Sequence, residues 1–182
     1  MIFQECVGFF FLKFKSKVAG VFWKFKKMVE NQSGCKIQAV RSDNGKEYTS
    51  AEFDMFCEEA GIEHQLTALY TPQQNRVSER RNRYIMEMAR CMLHDKELPK
   101  YFWVEAANTA IFLQNRLSTK ALKDKTPFEA WYDYKPLLNF LRVFGCLYFS
   151  HIPQVKRDKI DKKLEPSIFV GYNSSSKAYK VY

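Results

Sequence analysis

The sequence predicts an α/β fold: a mixed sheet with helices, followed by a small β domain. Short apolar runs alternate with segments of helical period as far as Leu117, whereas the part beyond Phe140 contains strand-like runs and turns. The chain has 182 residues, of which 46% are hydrophobic, enough for one buried core and a small second unit. These observations predict two domains joined by a linker.

The first half of the chain alternates between strand and helix patterns. Val7–Lys13 predicts a buried strand, Ile37–Arg41 a short strand and Ile62–Leu69 another. Ala51–Ala60 predicts a helix that stops at Gly61. A further helix is predicted over Val18–Val29, because apolar residues recur on one face at three- and four-residue steps: Val18, Phe22, Phe25 and Val29.

Two starting points compete for the next helix. Thr71-Pro72-Gln73-Gln74 matches a capping box with proline at the first helical position, and Asn75 with Ser78 offers a second start. The helix is predicted to run to about His94, with an inward face of Val77, Ile85, Met88 and Met92. Another helix is predicted from about Phe102 to Leu117.

The last third of the chain is predicted to consist of a linker followed by strands. Residues 118–139 form a predicted linker, with Lys120, Lys123 and Lys125 near Pro127 and Pro136. Beyond it, strands are predicted around a basic turn at Lys156–Lys159, in the ranges Leu141–Ile152, Ser167–Tyr172 and Ala178–Tyr182.

Charge and cysteine usage narrow the class of protein. A formal net charge of +9 favours a polyanionic partner, most simply nucleic acid. The five cysteines are odd in number and form no C-x-x-C pair, which favours free thiols in a reducing compartment, nuclear or cytoplasmic, rather than secretion. The apolar run Val7–Leu12 is too short to span a bilayer, so no membrane partner is expected.

Asp43 and Glu79 are the candidate catalytic and metal-binding residues. Asp43 follows a short apolar run and Glu79 lies just inside a predicted helix, so the carboxylates come from separate elements, as two-metal enzymes acting on DNA require. Each residue taken alone has a simpler interpretation. Asp43-Asn44-Gly45 is also a good turn, and a glutamate in a first helical turn stabilises the helix dipole.

The flanking residues resemble the integrase core of copia-type LTR retrotransposons. Arg41–Tyr48 is similar to the family pattern R-S-D-N-G-G-E-Y, and Thr71–Arg80 to T-P-Q-Q-N-G-V-A-E-R. The similarity continues through Trp103–Arg116, Thr126–Trp131 and Leu141–Cys146. In this family Asp43 and Glu79 would be the second and third members of a DDE triad.

The resemblance implies a fold, a reaction and its partners. It implies an RNase H-like core over residues 1–117, a linker over 118–139 and the start of an SH3-like β-barrel over 140–182. The implied reactions are 3′-end processing and strand transfer with Mg²⁺ or Mn²⁺, acting on retrotransposon cDNA ends and target DNA, together with other integrase subunits. It also implies a mobile loop before the catalytic helix, which favours Asn75 over Pro72 as the start.

The sequence departs from the family pattern at the first aspartate. Aligning Phe9–Lys17 with the family's second strand places the family's two adjacent aspartates on Met1 and Ile2, neither of which is a ligand for these metals. Glu5 aligns with a different family position. The core is therefore expected to lack most of its first strand and to be inactive in this form.

A basic surface is predicted beside the two carboxylates. Arg76, Arg80 and Arg83 recur at helical spacing around Glu79, and Lys46 follows Asp43. Asn75 lies in the family's motif, and Arg76 replaces the glycine that follows it there. A solvated charged face without a ligand is the alternative.

Three interpretations therefore remain open. The first is an integrase core of the DNA-integration class that is inactive in this form. The second is a non-enzymatic nucleic-acid-binding or assembly module that retains the basic surface, and the third is an unfolded relic. A strand-transfer assay separates the first two, and a cooperative melting transition separates both from the third.

Overall fold

The computed structural model describes residues 8, 10–67, 72–120, 122–173 and 176–182, and only the backbone of 72–77. The contacts between residues divide the chain into two compact units, Phe10–Asn82 and Arg83–Tyr182, with the boundary inside a long helix. Each unit has buried apolar residues of its own.

The first unit contains a parallel strand pair and two helices. Its elements are α1 (Val18–Ser33), β1 (Ala39–Ser42), α2 (Ala51–Glu59) and β2 (Glu63–Leu66), followed by the start of α3 (Pro72–Asp95). The strands β1 and β2 pair in parallel, with Val40 opposite His64 and Ser42 opposite Leu66. Four predicted elements are thus confirmed, with boundaries shifted by a few residues at most.

The core of the first unit is built from α1 and α2. Phe53 and Cys57 of α2 are buried together with Ala19 and Ile62. The ring of Phe22 lies 5.5 Å from that of Phe53, and the ring of Trp23 lies 5.1 Å from that of Phe56. Phe22 of the face predicted for α1 therefore packs against α2, and Val40 of β1, three residues before Asp43, packs against the same core.

Two predictions about the first unit are wrong. The described part of the predicted strand Val7–Lys13, namely Gly8 and Phe10–Lys13, is not in a strand, and the rest lies outside the described residues. A strand needs a neighbour to satisfy its backbone, and Phe10 instead contacts the ring of Phe25 on α1 at 5.6 Å. The favoured helix start at Asn75 is also wrong, since α3 begins at Pro72, whose missing N–H costs nothing in a first turn.

The second unit combines helices with an antiparallel sheet. After α3 come α4 (Trp103–Gln114), α5 (Pro127–Tyr132), β3 (Leu147–His151), β4 (Leu164–Tyr172) and β5 (Tyr179–Val181). The sheet has the order β3-β4-β5, and α4 packs on β4. Phe102, Ala106, Ala110 and Phe169 form part of the buried interior.

Two details of this unit differ from the predicted elements. The stretch 118–139 contains the helix α5, which begins at a full capping box formed by Thr126 and Glu129. The first strand of the sheet starts at Leu147 and not at Leu141. Gly145, with φ of 77°, and the bond from Cys146 N–H to the Val143 carbonyl form a turn just before it.

Candidate metal centre and nucleic-acid surface

Asp43 lies directly after β1, at the carboxyl end of the parallel strand pair. Its side chain is exposed, and Oδ1 accepts a hydrogen bond from the Gly45 N–H at 3.1 Å. This bond closes a turn of the kind expected for Asp-Asn-Gly. The carboxylate is thus held close to the backbone while it remains open to solvent.

Two hydrogen bonds join the Asp43 turn to the end of β2. The Asn44 side-chain amide donates to the Thr67 carbonyl at 2.9 Å. The Thr67 N–H donates to the Ser42 carbonyl at 3.0 Å. Residues on both sides of Asp43 are therefore bound to the neighbouring strand, which makes this more than an isolated turn.

The two charged residues that directly follow the turn, Lys46 and Glu47, differ in their surroundings. Lys46, the predicted DNA contact, is exposed. Glu47 lies 3.2 Å from the ammonium of Lys15. A hydrogen bond from its own backbone N–H, and then the one from Lys15, lower the pKa of Glu47. The pKa of Tyr48 is raised by burial and then by the negative charges of Asp43 and Glu47.

Glu79 lies on α3 in the same unit as Asp43, and its side chain is exposed. Arg80 and Arg83 follow it on this helix and are also exposed. Asn75 and Arg76 belong to the first turns of α3, but their side chains are outside the described part of the structure. Five of the predicted DNA-contacting or metal-binding side chains are thus accessible: Asp43, Lys46, Glu79, Arg80 and Arg83.

Carboxylate oxygens are the ligands that Mg²⁺ prefers, so the exposed groups of Asp43 and Glu79 have the right chemistry for one divalent ion. Within the described ranges, no group of three or more His, Cys, Asp or Glu side chains is placed to hold a metal. Met1 and Ile2 lie outside these ranges, and neither a thioether nor an alkyl group suits Mg²⁺. The described residues therefore offer the two candidate carboxylates of Asp43 and Glu79 and no metal site of three or more such side chains.

Three side chains near Asp43 form a hydrogen-bonded group that the sequence did not predict. Ser42 Oγ lies 2.8 Å from His64 Nε2, and His64 Nδ1 lies 3.2 Å from Asp54 Oδ1. His64 could not be assigned from sequence, because only the register of β1 and β2 brings its ring to Ser42.

A second basic surface lies in the connection between β3 and β4. Lys156, Lys159, Lys162 and Lys163 are all exposed there, while the Arg157 side chain donates to the Ile152 carbonyl at 3.2 Å. This cluster belongs to the other unit and provides an alternative contact for a polyanion. In the portion of the chain that the structure describes, no helix is long and apolar enough to span a membrane.

Two family models match the chain. Residues 12–72 match the integrase core domain, and residues 146–182 match the retroviral polymerase SH3-like domain. The sequence is 43% identical over 173 residues to the retrovirus-related Pol polyprotein from transposon TNT 1-94 of Nicotiana tabacum, covering 95% of this chain and 13% of the relative. It is 34% identical over 168 residues to the Pol polyprotein from transposon RE2 of Arabidopsis thaliana, covering 92% and 11%. The chain thus spans only a small part of these polyproteins.

Two solved integrase structures resemble parts of the chain. The simian T-cell lymphotropic virus intasome in complex with PP2A regulatory subunit B56 gamma has a TM-score of 0.53 at 16% identity, covering 93% of this chain and 62% of that one. The HTLV-2 integrase catalytic core domain in complex with magnesium has a TM-score of 0.47 at 23% identity, covering 64% and 69%.

The first of these two likenesses confirms the predicted integrase-core α/β fold, which is followed by a small antiparallel β region. The family models and relatives are the ones that the motifs around Asp43 and Glu79 predict. The chain therefore belongs to the copia-type retrotransposon Pol polyproteins and is a homologue of their integrase core, followed by the retroviral SH3-like domain.

Proposed function

We propose that this chain contacts DNA as part of a retrotransposon integrase and does not itself catalyse 3′-end processing or strand transfer. The observation that carries the proposal is the exposed carboxylate of Asp43, held in a braced turn at the carboxyl end of β1. An exposed carboxylate that is fixed to the backbone is suited to hold a cation, and hence a phosphate, at this edge of the strand pair.

Catalysis by a two-metal mechanism requires more carboxylate ligands than Asp43 and Glu79 provide. In the proposed role Asp43 and Glu79 hold one Mg²⁺ or Mn²⁺ weakly. The position of the family's first aspartate is occupied by Met1 or Ile2, so the ligand that joins two metals is missing. When bound, the ion would supply positive charge next to a DNA phosphate.

DNA is the proposed partner, in the form of cDNA ends and target DNA, together with other integrase subunits. The exposed Arg80 and Arg83 on α3 and the exposed Lys46 beside Asp43 support phosphate contacts. Asn75 and Arg76 are proposed to belong to the same surface because they precede Glu79 in the family motif. We further propose that residues 1–117 act as the core, 118–139 as the linker and 140–182 as the SH3-like domain.

The proposed setting is a reducing compartment, nuclear or cytoplasmic. Among the cysteines that the structure describes, Cys35, Cys57, Cys91 and Cys146 are free thiols. Burial raises the pKa of the Cys57 thiol, which keeps it protonated and unreactive.

A non-enzymatic nucleic-acid-binding module is the second candidate, favoured by the exposed lysines of 156–163, which lie outside the core. DNA binding by variants distinguishes the two, and a strand-transfer assay with Mg²⁺ or Mn²⁺ and a radiolabelled donor duplex tests the proposed inactivity. Joined product from this chain would overturn the proposed inactivity. DNA binding without product, lost when Asp43 and the α3 arginines are replaced, supports the integrase surface, and DNA binding lost only with the lysines supports the module.

A further inference from the structure

A chain of hydrogen bonds lies behind Asp43 and connects three elements of the first unit. It runs from Ser42 at the end of β1, through His64 of β2, to Asp54 of α2. Only 10% of the His64 side chain is exposed, compared with 53% for Asp54. Ser42 is buried, with 7% exposure.

The donor and acceptor capacities set the direction of these bonds. An ionised Asp54 can only accept, so His64 Nδ1 must carry the proton that it donates. In the neutral ring Nε2 is then an acceptor, and the Ser42 hydroxyl donates to it at 2.8 Å. The Asp43 carbonyl, at 3.1 Å from the same hydroxyl, is the more distant of its two acceptors.

Ser, His and Asp in this order also form the triad of many hydrolases. A nucleophilic serine must reach a substrate, whereas Ser42 is buried and is the last residue of a strand. Its carbonyl is bonded to the Thr67 N–H, which fixes the backbone at this point. The arrangement is therefore suited to hold a position and not to attack a substrate.

These hydrogen bonds hold the backbone in place next to Asp43, the residue that follows Ser42. We propose that His64 is a positioning residue for the Asp43 carboxylate: it ties the end of β1 to α2 through Ser42 and Asp54. The inference rests on the proposed function in that Asp43 is taken as a metal ligand. Outer partners that orient a ligand commonly change metal affinity by about 10- to 100-fold.

The ring of His64 also packs against Phe53 at 5.1 Å, so the test must separate packing from hydrogen bonding. His64→Phe keeps an aromatic ring of similar size and removes both hydrogen bonds. Ser42→Ala removes the bond to His64 and the longer bond to the Asp43 carbonyl, and it leaves the bond between His64 and Asp54 in place. His94→Phe, on the exposed end of α3, is the matched control for exchanging a histidine for phenylalanine.

The first measurement is Mn²⁺ affinity, from the electron paramagnetic resonance signal of free Mn²⁺, on full-length chains whose fold is checked by circular dichroism. His64→Phe and Ser42→Ala should each weaken Mn²⁺ binding by about tenfold. The double variant should lose little more, since both changes break one connection. His94→Phe should bind as the original chain does. Unchanged affinity in a folded His64→Phe, when Asp43→Asn does weaken Mn²⁺ binding, would overturn the proposal.

The second measurement needs no metal. Amide hydrogen exchange at Thr67, whose N–H bonds to Ser42, and at Gly45, whose N–H bonds to Asp43, should become severalfold faster in His64→Phe. Unchanged exchange at both amides overturns the positioning role even if no metal binds. If exchange accelerates but the original chain and Asp43→Asn are alike in Mn²⁺ binding, the metal role of Asp43 fails and the positioning of its turn stands.

Discussion

Thr109 of α4 and Gly171 of β4 lie in direct contact in the second unit: a Cβ atom at Gly171 would be only 3.0 Å from the Thr109 hydroxyl oxygen. Gly171 is buried and has φ of 145°, a backbone conformation that side chains rarely adopt. The helix and the sheet can approach this closely because the strand has no side chain here. Nearby, the Lys180 ammonium lies 2.9 Å from the Glu105 carboxylate, which joins β5 to the same helix.

Gly171→Ala is therefore expected to destabilise the protein. The added methyl group meets Thr109, and the strained φ alone costs about 1–3 kcal/mol. Urea unfolding followed by circular dichroism measures the loss. Gly20→Ala is the matched control, because nothing lies within 4 Å of a Cβ at this position inside α1. It should stabilise the protein by about 0.5–1 kcal/mol, and equal effects of the two changes would refute the close contact.

The stability of α5 should depend on its capping box, and the contribution of the box should vary with pH. The Thr126 N–H donates to Glu129 Oε2, and this bond is the largest cause of the lowered pKa of Glu129. A carboxyl with a lowered folded pKa stabilises above its ordinary value and loses this contribution as the pH falls. Glu129→Gln should destabilise at neutral pH and have a diminishing effect well below pH 4.5.

Thr126→Ala tests the other half of the same cap. It removes the acceptor for the Glu129 N–H and should cost about 1 kcal/mol at neutral pH. Thr126→Ser retains a hydroxyl and is the control. A Glu129→Gln effect that does not vary with pH would contradict a role for the ionised carboxylate.

The features predicted correctly from the sequence are those governed by local chemistry. The apolar run ending in Asp43-Asn44-Gly45 predicts a strand followed by a turn, and both are present. The start of α3 was ambiguous because Pro72 and Asn75 both carry acceptable local signals. Apolar periodicity cannot distinguish these two starts. The first helical residue depends on how many helical turns pack against the rest of the unit.

The failures concern partners that are distant in sequence. The run Val7–Lys13 has a strand composition, but strand formation depends on a neighbour that composition does not reveal. The contact of His64 with Ser42 depends on the parallel register of β1 and β2, which pairs Val40 with His64. A shift of one residue would turn His64 to the opposite face, so no local motif could identify it.

Binding to DNA should be sensitive to salt and indifferent to sequence. Contacts from Lys and Arg to phosphates release counterions, so affinity should fall by about tenfold or more between about 50 and 200 mM salt. Replacing Arg80 and Arg83 together with Ala should reduce the slope of log affinity against log salt by about one to two. Fluorescence anisotropy with a labelled duplex measures both quantities.

Lys24→Ala with Lys27→Ala is the matched control for that experiment. Both lysines are exposed on α1, and the double change removes the same amount of positive charge. The slope should stay close to that of the original chain. If the lysine pair on α1 reduces it as much as the arginine pair does, general charge attraction and not the α3 surface accounts for binding. If neither pair reduces the slope, the exposed lysines of residues 156–163 are the contact with DNA instead.

The chain should give no Mg²⁺- or Mn²⁺-dependent joining of a donor DNA end above background. In the proposed alignment Met1 and Ile2 stand at the positions of the family's first aspartates, so we propose that Asp43 and Glu79 lack the ligand that would hold a second metal. Glu79→Gln removes a charge from an exposed position on α3 and should leave both the background and the fold unchanged. An active integrase acting on its own donor end provides the positive control. Joined product that appears with either metal and disappears in Glu79→Gln would show that two carboxylates suffice, and the proposed inactivity would then be wrong.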